Sequence, residues 1–132
     1  MANTDQKTIL IIEDSTTQAL HLQLLLEGNR LNVEWADTGL KGVEMAQQVQ
    51  PDLIILDLQL PDINGVQVGQ RLKSNPDTAL IPIILMTRYD DSELVLEAMQ
   101  IGIDDYIPKD AFADAVLVET LRQMGLITSS GL

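Results

Sequence analysis

Five polar residues stand directly after short apolar runs or close beside them. Glu13 and Asp14 follow the run TILII that ends at Ile12, and Asp57 follows LIIL. Thr87 closes IPIILMT, and Lys109 follows the stretch DDYIP. A carboxylate at the end of an apolar run sits beside a hydrophobic core, where an ionised group is costly unless it is paired or metal-bound. Three carboxylates in one cleft repel one another, and each drifts toward its protonated form unless a cation intervenes. An all-oxygen donor set of this kind suits Mg²⁺, which prefers octahedral oxygen ligands and keeps several waters. Asp14 and Asp57 are the expected direct ligands. Glu13 acts through an ordered water, and the carbonyl of Gln59 adds a backbone ligand. Asp57 can also be a nucleophile toward a phosphoryl group, giving an aspartyl phosphate. Lys109 would then pair with one phosphoryl oxygen and Thr87 donate a hydrogen bond to another.

The elements that must bring these residues together are legible as an alternation. Apolar runs of about five residues alternate with amphipathic stretches of about ten to fourteen, which predicts βα units and a parallel sheet covered on both faces. The fully apolar runs after Lys7, at 53–56 and at 81–87, belong to the sheet centre. Residues 32–36 (NVEWA) alternate and are placed nearer an edge, and 102–107 form a somewhat polar fifth strand. Ser15 or Thr16 caps a first helix with Leu20, Leu24, Leu25 and Leu26 as its core stripe, stopped by Gly28 and Asn29. A second helix follows Gly39 and carries Leu40, Val43, Ala46 and Val49. A third carries Val66, Val68 and Leu72, weakened by Gly69. Residues from Arg88 to Ser92 open a fourth, with Leu94, Val95, Ala98 and Met99 as core candidates. A fifth runs from about Phe112 to Met124 with Val116, Leu117, Leu121 and Met124 inward. In a parallel sheet all strand carboxyl ends share one rim, where the ligands of open α/β sheets bind. That rim is where the five polar residues converge.

Composition excludes much else. The 132 residues suit one domain, and eight Lys and Arg against twenty Asp and Glu give a formal charge of −12. That charge disfavours nucleic acid and anionic membranes as direct partners. There is no cysteine and one histidine, so thiolate chemistry and a histidine-based zinc site are excluded. No signal peptide or transmembrane segment is apparent, and a cytoplasmic location is expected. The expected organisation is a flexible stretch at 1–6, one domain at 7–125, and a tail or linker stub at 126–132. An origin in a larger multidomain protein is favoured over a stand-alone one.

Taken together, Asp14, the LIIL run ending in Asp57, LPDING at 60–65, the MT end at Thr87 and DDYIPK ending at Lys109 resemble the receiver domain of two-component response regulators. The resemblance extends from about Lys7 to Met124. It implies a flavodoxin-like fold with strand order 2-1-3-4-5 and five helices around the sheet. It further implies that Asp57 accepts phosphate from a histidine kinase or phosphotransfer protein. Glu13 and Asp14 hold Mg²⁺, Thr87 follows the phosphoryl group, and Lys109 forms its ion pair. Tyr106 matches the family's switch aromatic, and the face of helix four, strand five and helix five is where homodimers or output partners dock. Two departures stand out. The family has proline directly after the lysine, in a cis linkage, whereas here Pro108 precedes Lys109 and Asp110 follows. A non-proline cis bond costs about 2.5 to 4 kcal/mol, so the loop either stores that strain or takes a trans path. Arg88 replaces the small residue that commonly follows the threonine; with Gln59 it is expected to modulate the pocket.

Individually, these residues have plainer readings. Asp57 could cap a turn, Glu13 and Asp14 could complement a helix dipole, and Lys109 could be a solvated charge. Tyr106 could simply pack on a helix. Asp62 and Gly65 read as structural parts of the turn, His21 as a helix-surface residue, and Trp35 as packing at the sheet margin. Two other functions compete with the signalling switch. An aspartyl-phosphate hydrolase needs a second acid two residues beyond the nucleophile, where Gln59 stands and cannot serve. A degenerate receiver would act only as an interaction module. For the switch itself, chemistry is limited to gaining phosphoryl and losing it by hydrolysis, with no separate substrate turned over.

Overall fold

The computed structural model describes residues 6–88 and 92–128. Among the described residues ten elements alternate strand and helix: β1 (Thr8–Ile12), α1 (Thr16–Gly28), β2 (Asn32–Ala36), α2 (Gly39–Val49), β3 (Leu53–Leu56), α3 (Gly65–Ser74), β4 (Ile83–Thr87), α4 (Ser92–Gln100), β5 (Asp105–Pro108) and α5 (Ala113–Gln123). All strand pairings are parallel, in the order β2-β1-β3-β4-β5. This is the flavodoxin-like order that the sequence resemblance implies. The three apolar runs fill the middle of the sheet, and β3 and β4 are buried throughout. β2, the alternating strand, is at an edge and largely exposed.

Two apolar layers sandwich the sheet. Leu10, Ile12, Ile54, Leu56, Ile83 and Leu85 face Ala46, Val66, Val68, Leu72 and Ala98 from α2, α3 and α4. Ile9, Ile11, Leu53, Ile55, Ile84, Met86 and Ile107 face Leu22 and Leu26 of α1 and Ala113, Leu117 and Leu121 of α5. Ile127, two residues past the expected domain limit at 125, is buried in this second layer. The alternation of side chains along each strand makes both layers from the same runs.

Several helix faces differ from expectation. In α1 the buried residues are Ala19, Leu22 and Leu26, while Leu20 and Leu24 are more than half exposed. A helix leucine-rich on all sides offers more apolar residues than one face can cover, and the small Ala19 lets α1 approach the sheet. Leu40, Met99, Val116 and Met124 are likewise exposed. In each case a neighbour one to three residues away (Gly42, Ala98, Leu117 and Leu121 respectively) occupies the inward position. Gly42 must be small there, since a Cβ would lie 2.5 Å from Ile12.

The ends of the helices also show what sequence reading blurred. Ser15 caps α1, accepting from Gln18 N, and Thr38 caps α2. Asn64 caps α3 in a reciprocal box with Gln67. At the end of α1 the left-handed residue is Arg30 (φ 66), and neither Gly28 nor Asn29 has a positive φ. Arg30 N and Leu31 N donate to the carbonyls of Glu27 and Leu26, closing the helix in a Schellman arrangement. Gly102 (φ 98) does the same after α4, where Gly102 N and Ile103 N donate to Met99 and Ala98. That turn delays β5 to Asp105, three residues later than the strand predicted at 102–107. The predicted opening of the fourth helix at 89–91 lies outside the described residues, and α4 is seen from Ser92.

Candidate phosphoryl-transfer site

The carboxyl ends of β1, β3, β4 and β5 meet at one cleft of about 310 Å³, lined by Glu13, Asp14, Ser15, Gln18, Asp57, Gln59, Thr87, Arg88 and Lys109. The chain reaches this arrangement through the sheet register. Ile12 pairs with Leu56, so Glu13 and Asp57 leave adjacent strands side by side, and Asp57 N donates to the carbonyl of Ile12. Thr87 is opposite Pro108 on β5, and Lys109 N donates to the carbonyl of Thr87. Gly65 allows the loop after Asp57 to fold back against it. A Cβ there would lie 2.5 Å from the Asp57 carbonyl oxygen, a contact no side chain tolerates.

Both oxygens of the Asp57 carboxylate are engaged. Oδ1 accepts from the buried Thr87 hydroxyl at 3.0 Å and from Gln59 N at 3.2 Å. Oδ2 accepts from Lys109 Nζ at 2.8 Å. The same ammonium donates to Glu13 Oε1 at 2.6 Å and to Gln18 Oε1. Glu13 Oε2 takes Ser15 N at 3.1 Å, and its backbone carbonyl takes the indole N–H of Trp35 at 2.7 Å. Glu13 is 3% exposed and Asp57 8%. Burial pushes the Glu13 carboxyl above its ordinary range; the Lys109 hydrogen bond pulls it down without cancelling that, and the Asp57 charge adds to the rise.

Glu13, Asp14 and Asp57 each offer a carboxylate oxygen, and these atoms lie within 4.8 Å of one another. Asp14 is exposed at the mouth, while the other two form the floor. The donor set is all oxygen, dense in negative charge and open on one side, which fits a hard divalent cation that retains water. The buried Glu13, occupied by Lys109 and Ser15, is less available to a metal than Asp14.

The other expected residues divide cleanly. Arg88 is exposed and, with Gln59, lines the cleft mouth. Tyr106 is half-buried against the layer formed with α2, α3 and α4, and burial and the Asp110 charge raise its hydroxyl pKa. No cis peptide occurs among the described residues, so the Lys109–Asp110 linkage is trans. Asp110 steadies that loop by accepting from Phe112 N at 2.8 Å. Asp62 lies outside the cluster. Its carboxylate crosses to α2, accepting from Gly39 N and Leu40 N at 2.8 Å each. His21 is an exposed residue on α1, 2.6 Å from Asp114 of α5.

Gln18 is the member that sequence reasoning missed. Polar and third in its helix, it looks like a solvent-facing residue. The one signal was its spacing, four residues after Asp14, which puts it on the first turn leaving the acidic loop.

Residues 9–122 match the family described as the response regulator receiver domain. Over 101 residues the chain is 39% identical to the DNA-binding dual master transcriptional regulator RpaA of a Synechocystis strain; this covers 76% of the chain but only 42% of that relative. Among solved structures, the signal receiver domain of a signal transduction histidine kinase from Syntrophus aciditrophicus has a TM-score of 0.82 at 34% identity, covering 96% of each chain. The receiver domain of sensor histidine kinase PA1611 from Pseudomonas aeruginosa, whose structure has a magnesium ion coordinated in its active-site cleft, shares the fold (TM-score 0.81, 24% identity, 89% of this chain and 96% of that one).

Proposed function

Because this chain belongs to the response regulator receiver domain family, we propose that Asp57 is its phosphoacceptor and that the surrounding residues turn phosphorylation into a change of surface. The single observation carrying this reading is the shared engagement of Asp57 by Thr87 and Lys109, 3.0 and 2.8 Å from its two oxygens, beside the Glu13–Asp14 pair.

In the proposed reaction an Asp57 carboxylate oxygen attacks phosphorus, its new P–O bond replacing the P–N bond of a phosphohistidine donor, whose imidazole leaves and takes a proton. The donor is a histidine kinase or a histidine phosphotransfer protein. Asp14, Asp57 and the Gln59 carbonyl would hold Mg²⁺, with Glu13 in a supporting role; the ion when bound would supply charge neutralisation of acceptor and phosphoryl oxygens. Lys109 moves its hydrogen bond from Asp57 Oδ2 to a phosphoryl oxygen, and the Thr87 hydroxyl follows another. Arg88 and Gln59, at the cleft mouth, set how readily water reaches the aspartyl phosphate.

The readout runs through the neighbouring strand. Leu85, two residues before Thr87, pairs with Tyr106. When Thr87 shifts toward the phosphoryl group, space opens beside Tyr106, whose ring turns inward and reshapes the α4–β5–α5 face for an output partner or a second copy. A cytoplasmic location suits such a donor. No described helix is long and apolar enough to cross a membrane.

The test is intact mass after incubation with Mg²⁺ and a small phosphodonor. Wild type should gain one phosphoryl group, stable to acid and labile to base, and Asp57→Asn should gain none. Equal labelling of both would move the reaction to another residue.

A further inference from the structure

Lys109 has three N–H donors, and the structure occupies them with Glu13 Oε1, Asp57 Oδ2 and Gln18 Oε1. Two of these partners are the buried acids on which the proposed chemistry draws. The third is neutral and comes from another element, α1. An ammonium only donates, so the Gln18 amide must turn its carbonyl oxygen toward Lys109. Its backbone is fixed as well: Gln18 N donates to the Ser15 cap at 3.3 Å, in the first turn of the helix. The side chain lines the acidic cleft and also the adjoining cleft of about 400 Å³ between α1 and α5.

From this geometry we infer that Gln18 is a positioning residue for Lys109, a fixed neutral acceptor that keeps the ammonium over Asp57. The inference rests on the function proposed above. Lysine carries its charge on a flexible four-carbon stem, and here two carboxylates compete for it. Glu13, 3% exposed and 2.6 Å away, is the nearer and the more buried of the two. With only these partners the ammonium would follow Glu13 and swing off the acceptor. A third contact from α1 defines its direction in space. Because Gln18 is uncharged, it holds Lys109 without rivalling a phosphoryl oxygen for the ion pair. Glutamate at the same position would be such a rival.

Two variants separate these roles. Gln18→Leu keeps the bulk and removes the acceptor; Gln18→Glu keeps an acceptor and adds charge. With Mg²⁺ and a small phosphodonor, Gln18→Leu should gain phosphoryl roughly fivefold more slowly than wild type, the scale of one lost oriented hydrogen bond. Gln18→Glu should also be slower. The spectroscopic readout is the ¹⁵N-detected Nζ resonance of Lys109, assigned by Lys109→Arg. It should be visible in wild type, where three acceptors hold the ammonium, broadened away in Gln18→Leu, and retained in Gln18→Glu. A Gln18→Leu protein that melts like wild type, labels at its rate and keeps that resonance overturns the inference, leaving Asp57 as acceptor. Wild type that never gains phosphoryl overturns the proposed function instead, and with it any role of Gln18 in the reaction. Should Gln18→Leu fail to fold, Gln18→Glu decides alone: labelling at or above the wild-type rate contradicts a neutral holding contact.

Discussion

The two rims of the sheet use the same residue type in opposite ways. At the amino-terminal rim, Asp52 accepts from Thr8 N at 2.8 Å and Asp104 from Ile83 N at 2.8 Å, each satisfying the first donor of a neighbouring strand. Asp104 adds a loose pair with Lys73 at 3.6 Å, half in solvent. At the carboxyl-terminal rim, Glu13 and Asp57 are buried together, Asp14 stands beside them, and one ammonium is shared between the buried two. Dispersed acids with backbone donors finish a strand cheaply. Converged acids with one cation are poorly compensated as they stand, and it is this unbalanced arrangement that a metal and a phosphoryl group can exploit.

Removing the cation from each rim should sharpen the contrast most. Lys109→Met leaves two buried acids unpaired and should lower stability by about 3 kcal/mol at neutral pH, the scale of a broken buried pair. Lys73→Met should cost less than about 1 kcal/mol. The Lys109 deficit should also shrink in acid. Glu13 already has a raised pKa, so the folded state holds its proton more tightly than the unfolded chain. Stability from that protonation is fully present below the ordinary value of 4.5 and is lost as pH rises through the raised one. Without Lys109 the raised value climbs further, and urea melts at pH 5 and pH 8 would show a larger gap at pH 8. Equal losses for Lys109→Met and Lys73→Met would break the comparison.

Asp62 tests it from within the carboxyl rim. Although close to the cleft in sequence, it behaves like the acids of the other rim, taking two backbone donors at the start of α2. Burial pushes its carboxyl up, but the N–H groups of Leu40, Ile63, Gly39 and Asp62 together outweigh that and hold it below the ordinary range. Asp62→Ala should therefore cost about 1 kcal/mol in thermal melts and leave phosphoryl gain intact. Its contribution is present above the ordinary value of 3.8 and disappears as pH falls through the depressed one.

The smallest effect belongs to the amino rim. Arg30 adopts φ 66 in the turn before β2, a conformation that glycine takes without strain. Arg30→Gly should raise stability by roughly 0.5 to 1 kcal/mol, read as a higher urea midpoint at unchanged slope.

This division explains what the sequence made legible. Asp57, Glu13, Asp14 and Thr87 end or follow runs of four or five apolar residues, so their strands and rim could be placed before any contact was known. Edge position followed from the same runs, whereas the strand order followed from the resemblance to receiver domains. Helix faces were harder. Leu20 and Leu24 are as apolar as Leu22 and Leu26, and only the small Ala19 facing the sheet decides which pair is buried. Gln18 could not be found from its type, since its role depends on where Lys109, 91 residues away, places its ammonium. The left-handed turn at Arg30 carried no glycine to announce it.

The most direct test of the central claim is a crystal structure with Mg²⁺ and beryllium trifluoride, a mimic of the phosphoryl group. We expect the beryllium on an Asp57 oxygen, the metal against Asp14 and Asp57, and Lys109 Nζ and Thr87 Oγ1 each moved onto a fluorine. A metal bound away from these acids, or Lys109 still paired with Glu13 and Asp57 while the mimic sits elsewhere, would contradict it.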